Sequence, residues 1–463
     1  MQRVRVEQDR FVNESGQQVI FNGINIVHKR RSDGYIQPGI EQLLPAYAAK
    51  GFNLIRLGIL WDGVEPSPGV YDDAYLDRVH HVIELAEQAG LYVLLDMHQD
   101  LFSVKFIDGA PEWATLDGGA PHPEGCTLWY EAYIVSQAVI NAADAFWANA
   151  PAPDGVGLLD HYEAMWGHLA ARFADCRAVI GFEPMNEPFM GRLAREAFGE
   201  ATMKVREDFP AFDLARPDDI SLEERMRFQA IVTERFLAWD KATLMPFYQR
   251  MRRAIRKHSD IALATGGNIY CSAFFTSGIE RITDESGAID PQQIYAPHGY
   301  DSVVNTERYE AFSRSNVEAL YADKRATQER LGLPVIVGEW GCFPDREFAN
   351  DLIRHMQGIL EQYLWGSTYW AHEDGLESNP NYAALERGYP AEVAGILRAY
   401  HYDPEARTLR VAYTARAGEV SCFFLPHALR QAASTGEVEW EAEGYWVAVR
   451  AREGGPLEVT LEG

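Results

Sequence analysis

The stretch Gly181-Phe182-Glu183-Pro184-Met185-Asn186-Glu187-Pro188 follows a helix-like segment, 162–173, and a short apolar strand signal at 179–180. It ends in a carboxylate beside an amide and is closed by a proline. A strand that stops here presents Glu187 at its C-terminal tip, and in an eight-stranded βα barrel these tips form the active face. The same residues also fit a buried strand that ends in a polar turn, and alone they do not decide between the two.

A second strand-like run also delivers a glutamate. Leu333-Pro334-Val335-Ile336-Val337-Gly338-Glu339-Trp340-Gly341 is short and β-branched, and Glu339 lies near its end. A retaining glycosidase needs one protonated and one ionised carboxyl group, about 5–5.5 Å apart across the scissile bond. Glutamates at two separate strand tips, one beside Asn186 and the other beside Trp340, therefore indicate paired-carboxylate chemistry.

Along the chain, including these two runs, eight short strand signals alternate with helical segments. Alternation of this kind predicts a parallel (β/α)8 TIM barrel. Helices are expected at 40–49, 75–89 and 162–173, and residues 189–240 form a charged, helix-like insertion. The expected strands are 21–27, 53–57, 91–98, the run that enters the opening motif, 261–264, 293–296, 333–341 and 366–370.

At both ends of the chain, strand signals follow one another without helices between them. Residues 9–21 alternate around Glu14-Ser15-Gly16, which predicts a hairpin that could plug the bottom of the barrel. After about residue 400, short strands follow each other without helices, at 408–413, 420–425, 438–441, 445–450 and 457–461. We therefore expect a catalytic barrel over residues 1–400 and a small C-terminal antiparallel β-sandwich domain over residues 401–463.

Composition narrows the class of protein. The 463 residues carry a net charge of −26, which argues against nucleic acid as a partner and against an anionic membrane held by charge alone. Five scattered cysteines without a CxxC pair predict neither a zinc site nor a disulfide framework. No leader-like apolar region follows Met1, and no apolar run is long enough to span a membrane, so a cytoplasmic location is expected, with a trimmed secreted form left open.

With these residues in view, the sequence resembles family five of the glycoside hydrolases, (β/α)8 barrels with catalytic glutamates on strands four and seven. Asn186-Glu187-Pro188 looks like the acid/base motif of that family, and Glu339 looks like its nucleophile. The resemblance covers about residues 10–400 and implies no cofactor and no metal. The residues at positions where the family places supporting side chains are Arg56, His98, His298, Tyr300 and Trp370.

Three further stretches resemble the endoglycoceramidase branch, whose members act on the bond between sugar and ceramide. They are Gly23-Ile24-Asn25-Ile26-Val27-His28-Lys29, Asp96-Met97-His98-Gln99-Asp100 and Gly109-Ala110-Pro111-Glu112-Trp113. This resemblance implies a glycolipid substrate. Steryl-β-glucosidases and polysaccharide endo-β-glucanases or mannanases of the same family remain alternatives, and the sugar, the endo- or exo-action and the oligomeric state stay open.

The chemistry of these side chains fits an acid at Glu187, a nucleophile at Glu339 and supporting residues around them. Glu187 needs a raised pKa to hold its proton, and closeness to an ionised Glu339 would raise it. Asn186 can bond the sugar 2-hydroxyl. Arg56, an arginine in an apolar strand, could lie at an edge or beneath the pocket, where it would favour the ionised form of Glu339. Tyr300 can orient Glu339.

The remaining candidates would line the sugar site. Trp370 could form a floor for the sugar or belong to the core. Lys29 and Asp100, at the ends of strands one and three, could reach sugar hydroxyls, although a lysine there could also be simply solvated. His98 and His298 could donate to hydroxyls, tune the glutamate pair or be purely structural.

Two other classes of protein explain the sequence less well than a glycosidase does. A metal-dependent hydrolase could use His98 and His298 as ligands, but it would leave both glutamates unexplained. A non-catalytic carbohydrate-binding barrel would be expected to lack one glutamate, and both are present.

The connection after strand three is a candidate lipid surface. It is rich in large apolar residues, and an exposed patch of this kind usually marks a binding site. The alternative is that they pack beneath the loop as a satellite core. The residues are Leu101, Phe102, Phe106, Trp113, Trp129, Tyr130, Phe146 and Trp147.

Overall fold

The fold is described from a computed structural model that covers residues 1–123, 125–126, 128–214, 216, 219–304, 306, 308–344 and 346–463, without the side chains of residues 310 and 377. The chain begins with three short antiparallel strands, β1 (Val4–Glu7), β2 (Arg10–Asn13) and β3 (Gln18–Val19). Val6 and Phe11 from these strands pack against the first residues of the barrel strands, among them Leu54 and Tyr92. The predicted hairpin therefore does close the bottom of the barrel.

The central sheet is a closed ring of parallel strands. Its order joins the last barrel strand to the first, and a bridge between Tyr295 and Val335 connects the sixth and seventh strands. The sixth strand has two halves, separated by Pro297, which lacks the N–H needed for continuous pairing. The strands are β4 (Asn22–Ile26), β5 (Leu54–Leu60), β6 (Tyr92–His98), β7 (Val179–Glu183), β8 (Ala262–Thr265), β9 (Gln293–Tyr295), β10 (His298–Gly299), β11 (Ile336–Gly341) and β12 (Gly366–Trp370). The predicted TIM barrel is confirmed.

Helices cover the outside of this ring and fill its long connections. The predicted insertion at 189–240 forms two packed helices, Arg192–Asp208 and Leu222–Trp239. The second of them continues through a π-helical segment, Asp240–Leu244, into the helix Met245–Ile255. Of the described helices, none is both long enough and apolar enough to cross a bilayer. The helices are α1 (Ile40–Ala49), α2 (Trp61–Val64), α3 (Asp73–Ala89), α4 (Ala132–Val135), α5 (Gln137–Trp147), α6 (Leu158–Phe173), α7 (Arg192–Asp208), α8 (Leu222–Trp239), α9 (Met245–Ile255), α10 (Arg314–Leu331), α11 (Ala349–Tyr363) and α12 (Tyr382–Leu385).

Two antiparallel sheets enclose a separate core at the C-terminal end. One sheet has the order β1-β2-β3-β13-β16-β19-β18 and therefore includes the N-terminal strands, and the other has the order β14-β15-β20-β17. The C-terminal strands are β13 (Tyr389–Val393), β14 (Gly395–Asp403), β15 (Thr408–Ala415), β16 (Val420–Phe424), β17 (Gln431–Ser434), β18 (Val438–Glu443), β19 (Trp446–Ala451) and β20 (Gly455–Glu462).

The antiparallel region differs from the expectation at its start. β13 lies before residue 400 and β14 crosses it, so regular antiparallel pairing begins at Tyr389. Pairing of β13 with β3 also brings the N-terminal segment into this sheet, a contact between distant parts of the chain that local sequence does not encode. The division into domains at residues 400 and 401 stays a prediction.

Candidate active site

The two predicted glutamates lie on the same face of the barrel, but their backbones differ. Glu339 is part of β11, whereas β7 ends at Glu183 and Glu187 follows in a turn. Glu187 has a φ of 38°, a left-handed conformation that costs a non-glycine residue energy and that recurs at functional sites. Gln99 stabilises this turn, because its side-chain amide donates to the carbonyls of Asn186 and Glu187, each at 2.9 Å.

The side chains of the two glutamates converge. One oxygen from each, together with a ring nitrogen of His298, lie within 4.8 Å of one another. This close approach is compatible with the roughly 5–5.5 Å between carboxyl groups in retaining glycosidases and is shorter than the roughly 6.5–9.5 Å that leaves room for water in inverting ones. The Ser272 hydroxyl donates to Glu187 Oε1 at 2.7 Å, and His298 Nδ1 lies 2.9 Å from the same oxygen.

Arg56 lies beneath the pair and is completely buried. The sequence left open whether Arg56 lies at an edge or beneath the pocket, and the structure places it beneath the pocket. Its guanidinium contacts Glu339 Oε1 at 2.9 Å, Glu183 Oε2 at 2.7 Å, Asp96 Oδ1 at 3.1 Å, Asn186 Oδ1 at 2.8 Å and Asn25 Oδ1 at 3.0 Å. Three carboxylates and two amides thus surround one buried cation, which aligns residues from four barrel strands and the turn after β7.

The two histidines are in opposite protonation states. Burial opposes a charge on His98, but Asp96 at 2.8 Å from Nδ1 and Asp100 outweigh it and raise the pKa of His98 to about 10. Burial also acts on His298, and there it lowers the pKa to about 4 because Glu339 does not compensate for it. At neutral pH His98 is therefore a cation, whereas His298 beside Glu187 is neutral.

A polar corner of the site contains the other candidates. Lys29 forms ion pairs with Asp100 and with Asp108, the latter at 3.1 Å, so it is not a freely solvated lysine. Trp370 is half-buried and stacks on His98, with a centroid distance of 5.3 Å and an interplanar angle of 15°. His98 Nε2 is buried and lies 3.6 Å from Asp100 Oδ2, beyond hydrogen-bond distance, and it has no closer acceptor in the described part of the chain. This group can donate to a ligand hydroxyl.

The surroundings of Glu187 raise its pKa. Burial is the largest cause that raises its pKa to about 7, the Ser272 hydroxyl opposes the rise, and the charge of Asp100 adds to it. The sequence predicted the shift but assigned it to Glu339, whereas removal from water is the main cause. Glu339 instead accepts hydrogen bonds from Arg56 and from the Tyr300 hydroxyl at 2.9 Å, which orient it as predicted.

All ten predicted site residues thus lie in one region, although their roles in catalysis stay predictions. Sequence reasoning missed Ser272, Asp108, Gln99 and the buried carboxylates Asp96 and Glu183. Asp96 and Glu183 had a readable signal, since each is a carboxylate within an apolar strand that needs a buried partner. Ser272 had none, because it lies in an irregular connection after β8.

The expected lipid surface after strand three is wrong for three of its eight residues, which are buried. Leu101, Phe102 and Phe146 are at most 6% exposed, and Phe102 packs edge to face on Phe146 at 5.6 Å. The loop folds back on itself because the Leu101 amide donates to the buried Tyr133 hydroxyl at 2.9 Å. Phe106, Trp113, Tyr130 and Trp147 are half-buried and pack against the core, and Trp129 is 36% exposed. The three buried side chains therefore belong to the core of the barrel, as in the alternative of packing beneath the loop, and not to an exposed surface.

Comparison with known proteins places this geometry in context. Residues 12–375 match the family model described as Cellulase (glycosyl hydrolase family 5). A segment of 221 residues is 31% identical to an endoglycoceramidase of Cyanea nozakii and covers 42% of this chain and 43% of that protein. The matched region thus spans less than half the length of that relative. Endoglycoceramidase I of Rhodococcus hoagii is 24% identical over 485 residues, which cover 99% of this chain and 88% of that protein.

A solved structure is similar over nearly the entire chain. Endo-glycoceramidase II from Rhodococcus sp. superposes with a TM-score of 0.77 at 27% identity and covers 97% of this chain and 98% of its own. The same enzyme has been solved as its lactosyl-enzyme intermediate and in complex with ganglioside GM3, both with a TM-score of 0.76.

The environment of Glu187 predicts the pH dependence of activity. Because an acid acts in its protonated form, kcat/KM on a substrate with a poor leaving group should fall as the pH rises through about 7. In Ser272→Ala, loss of a hydrogen bond to the carboxylate should raise the pKa of Glu187 and move this falling limb to higher pH. Profiles of kcat/KM measured side by side test this, and a limb that stays in place would contradict it.

Proposed function

Because the chain belongs to glycosyl hydrolase family 5, we propose that it is a retaining β-glycosidase that cleaves the bond between the sugar and the lipid of a glycolipid. The observation that carries this proposal is the convergence of Glu187 and Glu339 within 4.8 Å, each in a different environment. The side chain of Glu187 is 12% exposed and has a pKa of about 7, and Glu339 accepts from a permanent cation. One carboxyl group is thereby prepared to give a proton and the other to attack carbon.

The proposed reaction has two displacements. In the first, Glu339 attacks the anomeric carbon while Glu187 protonates the oxygen of the leaving lipid, so a glycosyl-enzyme forms and the sugar–lipid bond breaks. In the second, Glu187, now ionised, takes a proton from water, which attacks the anomeric carbon and releases Glu339. Two inversions give a sugar with its original β configuration.

The polar corner is the candidate sugar subsite. The Lys29 ammonium, the Asp100 and Asp108 carboxylates and the free Nε2 of His98 offer both donors and acceptors to sugar hydroxyls. The half-exposed ring of Trp370 offers an apolar surface to the C–H face of a pyranose. Asn186 is held by Arg56 next to Glu187, where it can reach the 2-hydroxyl.

Glycolipid is the proposed substrate because similarity to endoglycoceramidases extends over nearly the whole chain, including the C-terminal sheets. The leaving group would lie on the side of Glu187, the acid that protonates it. Ser272, which bonds Glu187, is followed closely by Phe274, whose side chain is 53% exposed. An exposed aromatic residue near the acid is a candidate contact for the lipid, in place of the buried loop after strand three.

Glu339→Gly tests the nucleophile. Hydrolysis should be abolished while the protein stays folded, and added azide should restore turnover by entering the space that the glutamate vacates. The product should be a glycosyl azide of α configuration, because this single displacement inverts the anomeric centre. Product configuration is measured by NMR, and release of an α-sugar as the first product of the wild type would contradict the retaining mechanism.

Glu187→Ala tests the acid. Substrates with poor leaving groups should be slowed by about 10²–10⁴-fold, the usual contribution of general acid catalysis. Formation of the glycosyl-enzyme from a dinitrophenyl glycoside should hardly change, since that leaving group needs no proton. Pre-steady-state rates on both substrates make the comparison, and an equal loss on both would remove Glu187 from this role.

Phe274→Ser tests the lipid contact. If Phe274 binds the lipid, kcat/KM on a glycosylceramide in detergent micelles should fall about 10- to 150-fold, as expected for losing roughly 1.5–3 kcal/mol of apolar burial. Activity on a soluble aryl β-glycoside should stay unchanged. Tyr445→Ser is the matched control, because Tyr445 is an aromatic residue of similar exposure, 46%, in the C-terminal sheets.

Equal effects of Phe274→Ser on both substrates would contradict a lipid contact at this position. The substrate class is tested separately with glycosylceramides, gangliosides, steryl glucosides and cellulose under one detergent condition. Preference for a steryl glucoside or for cellulose would replace glycosylceramide by one of the alternatives of the same family.

A further inference from the structure

A buried lysine lies behind the acid. Lys324 belongs to α10, its side chain is 2% exposed, and its ammonium donates to the carbonyl of Cys271 at 2.7 Å. An ammonium group is costly to remove from water unless its interactions compensate. Burial accordingly lowers the pKa of Lys324 to about 8, and Glu187 is one of the groups whose charge opposes that shift.

The backbone that Lys324 contacts is a turn that connects both glutamates. This turn, Ile269–Ser272, is bonded to the acid loop through the Ile269 amide, which donates to the Pro188 carbonyl at 3.1 Å. Ser272 then bonds in two directions. Its hydroxyl donates to Glu187 at 2.7 Å, and its carbonyl accepts from the Tyr300 amide at 2.8 Å.

The turn therefore connects to both carboxyl groups of the pair. Tyr300, whose amide is bonded to the turn, donates its hydroxyl to Glu339 at 2.9 Å. Lys324 is adjacent to Ser272 through Cys271, and Lys324, Ser272, Glu187 and His298 line one small cavity of about 20 Å³. A displaced turn would move the hydroxyl that bonds the acid.

We propose that Lys324 is a positioning residue for Glu187, because it holds the 269–272 turn in the place where the Ser272 hydroxyl bonds the acid. This inference rests on the proposed role of Glu187. It assigns a function to a buried cation that touches neither the glutamates nor the sugar subsite. The titratable and charged groups around Lys324 and Glu187 are Cys271, Asp323, Asp100, His98, Arg56, His298, Glu183 and Glu339.

The direction of the effect on pH dependence follows from charge. Removing the ammonium takes a positive charge from the vicinity of Glu187, and releasing the turn weakens the Ser272 hydrogen bond. Both changes disfavour the carboxylate and raise the pKa of Glu187. The limb of kcat/KM that falls with rising pH should therefore move to higher pH, the direction expected for Ser272→Ala.

Lys324→Met is the test variant, and Arg330→Met is its matched control. Arg330 lies on the same helix and donates to the carbonyls of Ile279 and Ser277 at 2.7 and 3.1 Å, so it anchors the same connection away from Glu187. We expect Lys324→Met to lower kcat/KM about tenfold or more on a poor leaving group, to move the falling limb upward and to spare the dinitrophenyl glycoside. Arg330→Met should lower the melting temperature without moving the limb.

A double-mutant cycle separates positioning from general stabilisation. If Lys324 acts through Ser272, Lys324→Met should move the limb less in a Ser272→Ala background than in the wild type, because only the effect of the lost charge remains there. Lys324→Gln, which keeps a donor but no charge, allows the same cycle if the methionine variant does not fold. An unmoved limb with equal losses on both substrates, or additive effects in the cycle, would overturn the proposal.

The experiments distinguish a failure of the proposed role of Lys324 from a failure of the proposed role of Glu187. Glu187→Ala, assayed alongside, reports on the acid itself. If that variant discriminates between the two leaving groups and Lys324→Met does not, only the role of Lys324 is overturned. If Glu187→Ala does not discriminate, the assignment of the acid fails first, and the role of Lys324 falls with it.

Discussion

The buried guanidinium of Arg56 is the interaction on which the site depends. It sits in the second barrel strand and contacts three carboxylates, which come from the third, fourth and seventh strands. Burying charged groups without partners is costly, so the arginine and the carboxylates around it stabilise one another in the barrel interior. Removing one partner from a buried ion pair typically costs about 3–5 kcal/mol. The cluster therefore holds the strand ends in register around the reacting centre.

The different states of the two glutamates follow from that cluster and from what lies outside it. Glu339 lies within it, where a permanent cation and the Tyr300 hydroxyl donate to it. Glu187 lies in the turn beyond β7, out of direct contact with the guanidinium, where burial dominates and its near neighbours are a hydroxyl and a neutral imidazole. Two side chains of the same type thus have different surroundings, as the proposed division into an acid and a nucleophile requires.

Much of the fold could be predicted from the sequence because barrel strands have local signals. Each is a short apolar run that ends in polar residues, and the helices between them have caps and periodic apolar faces. β17, with the sequence Gln-Ala-Ala-Ser, was not predicted, since it contains no β-branched or aromatic residue and forms only by pairing with β20. The joining of the N-terminal strands to the C-terminal sheet was also invisible, because it depends on contacts between residues far apart in sequence.

The sequence by itself determined the chemistry available at the strand ends. Glu187 and Glu339, the arginine in an apolar strand and the aromatic residue at the end of the eighth strand could be identified because a barrel brings all strand ends to one face. Only the tertiary structure decided which groups touch. It placed Ser272 beside Glu187 and Lys324 behind Ser272. It gave His98 a charge and His298 none, and it buried Leu101, Phe102 and Phe146 of the loop that was expected to contact lipid. These outcomes depend on burial and on distances between side chains, and neither is encoded in any short stretch of residues.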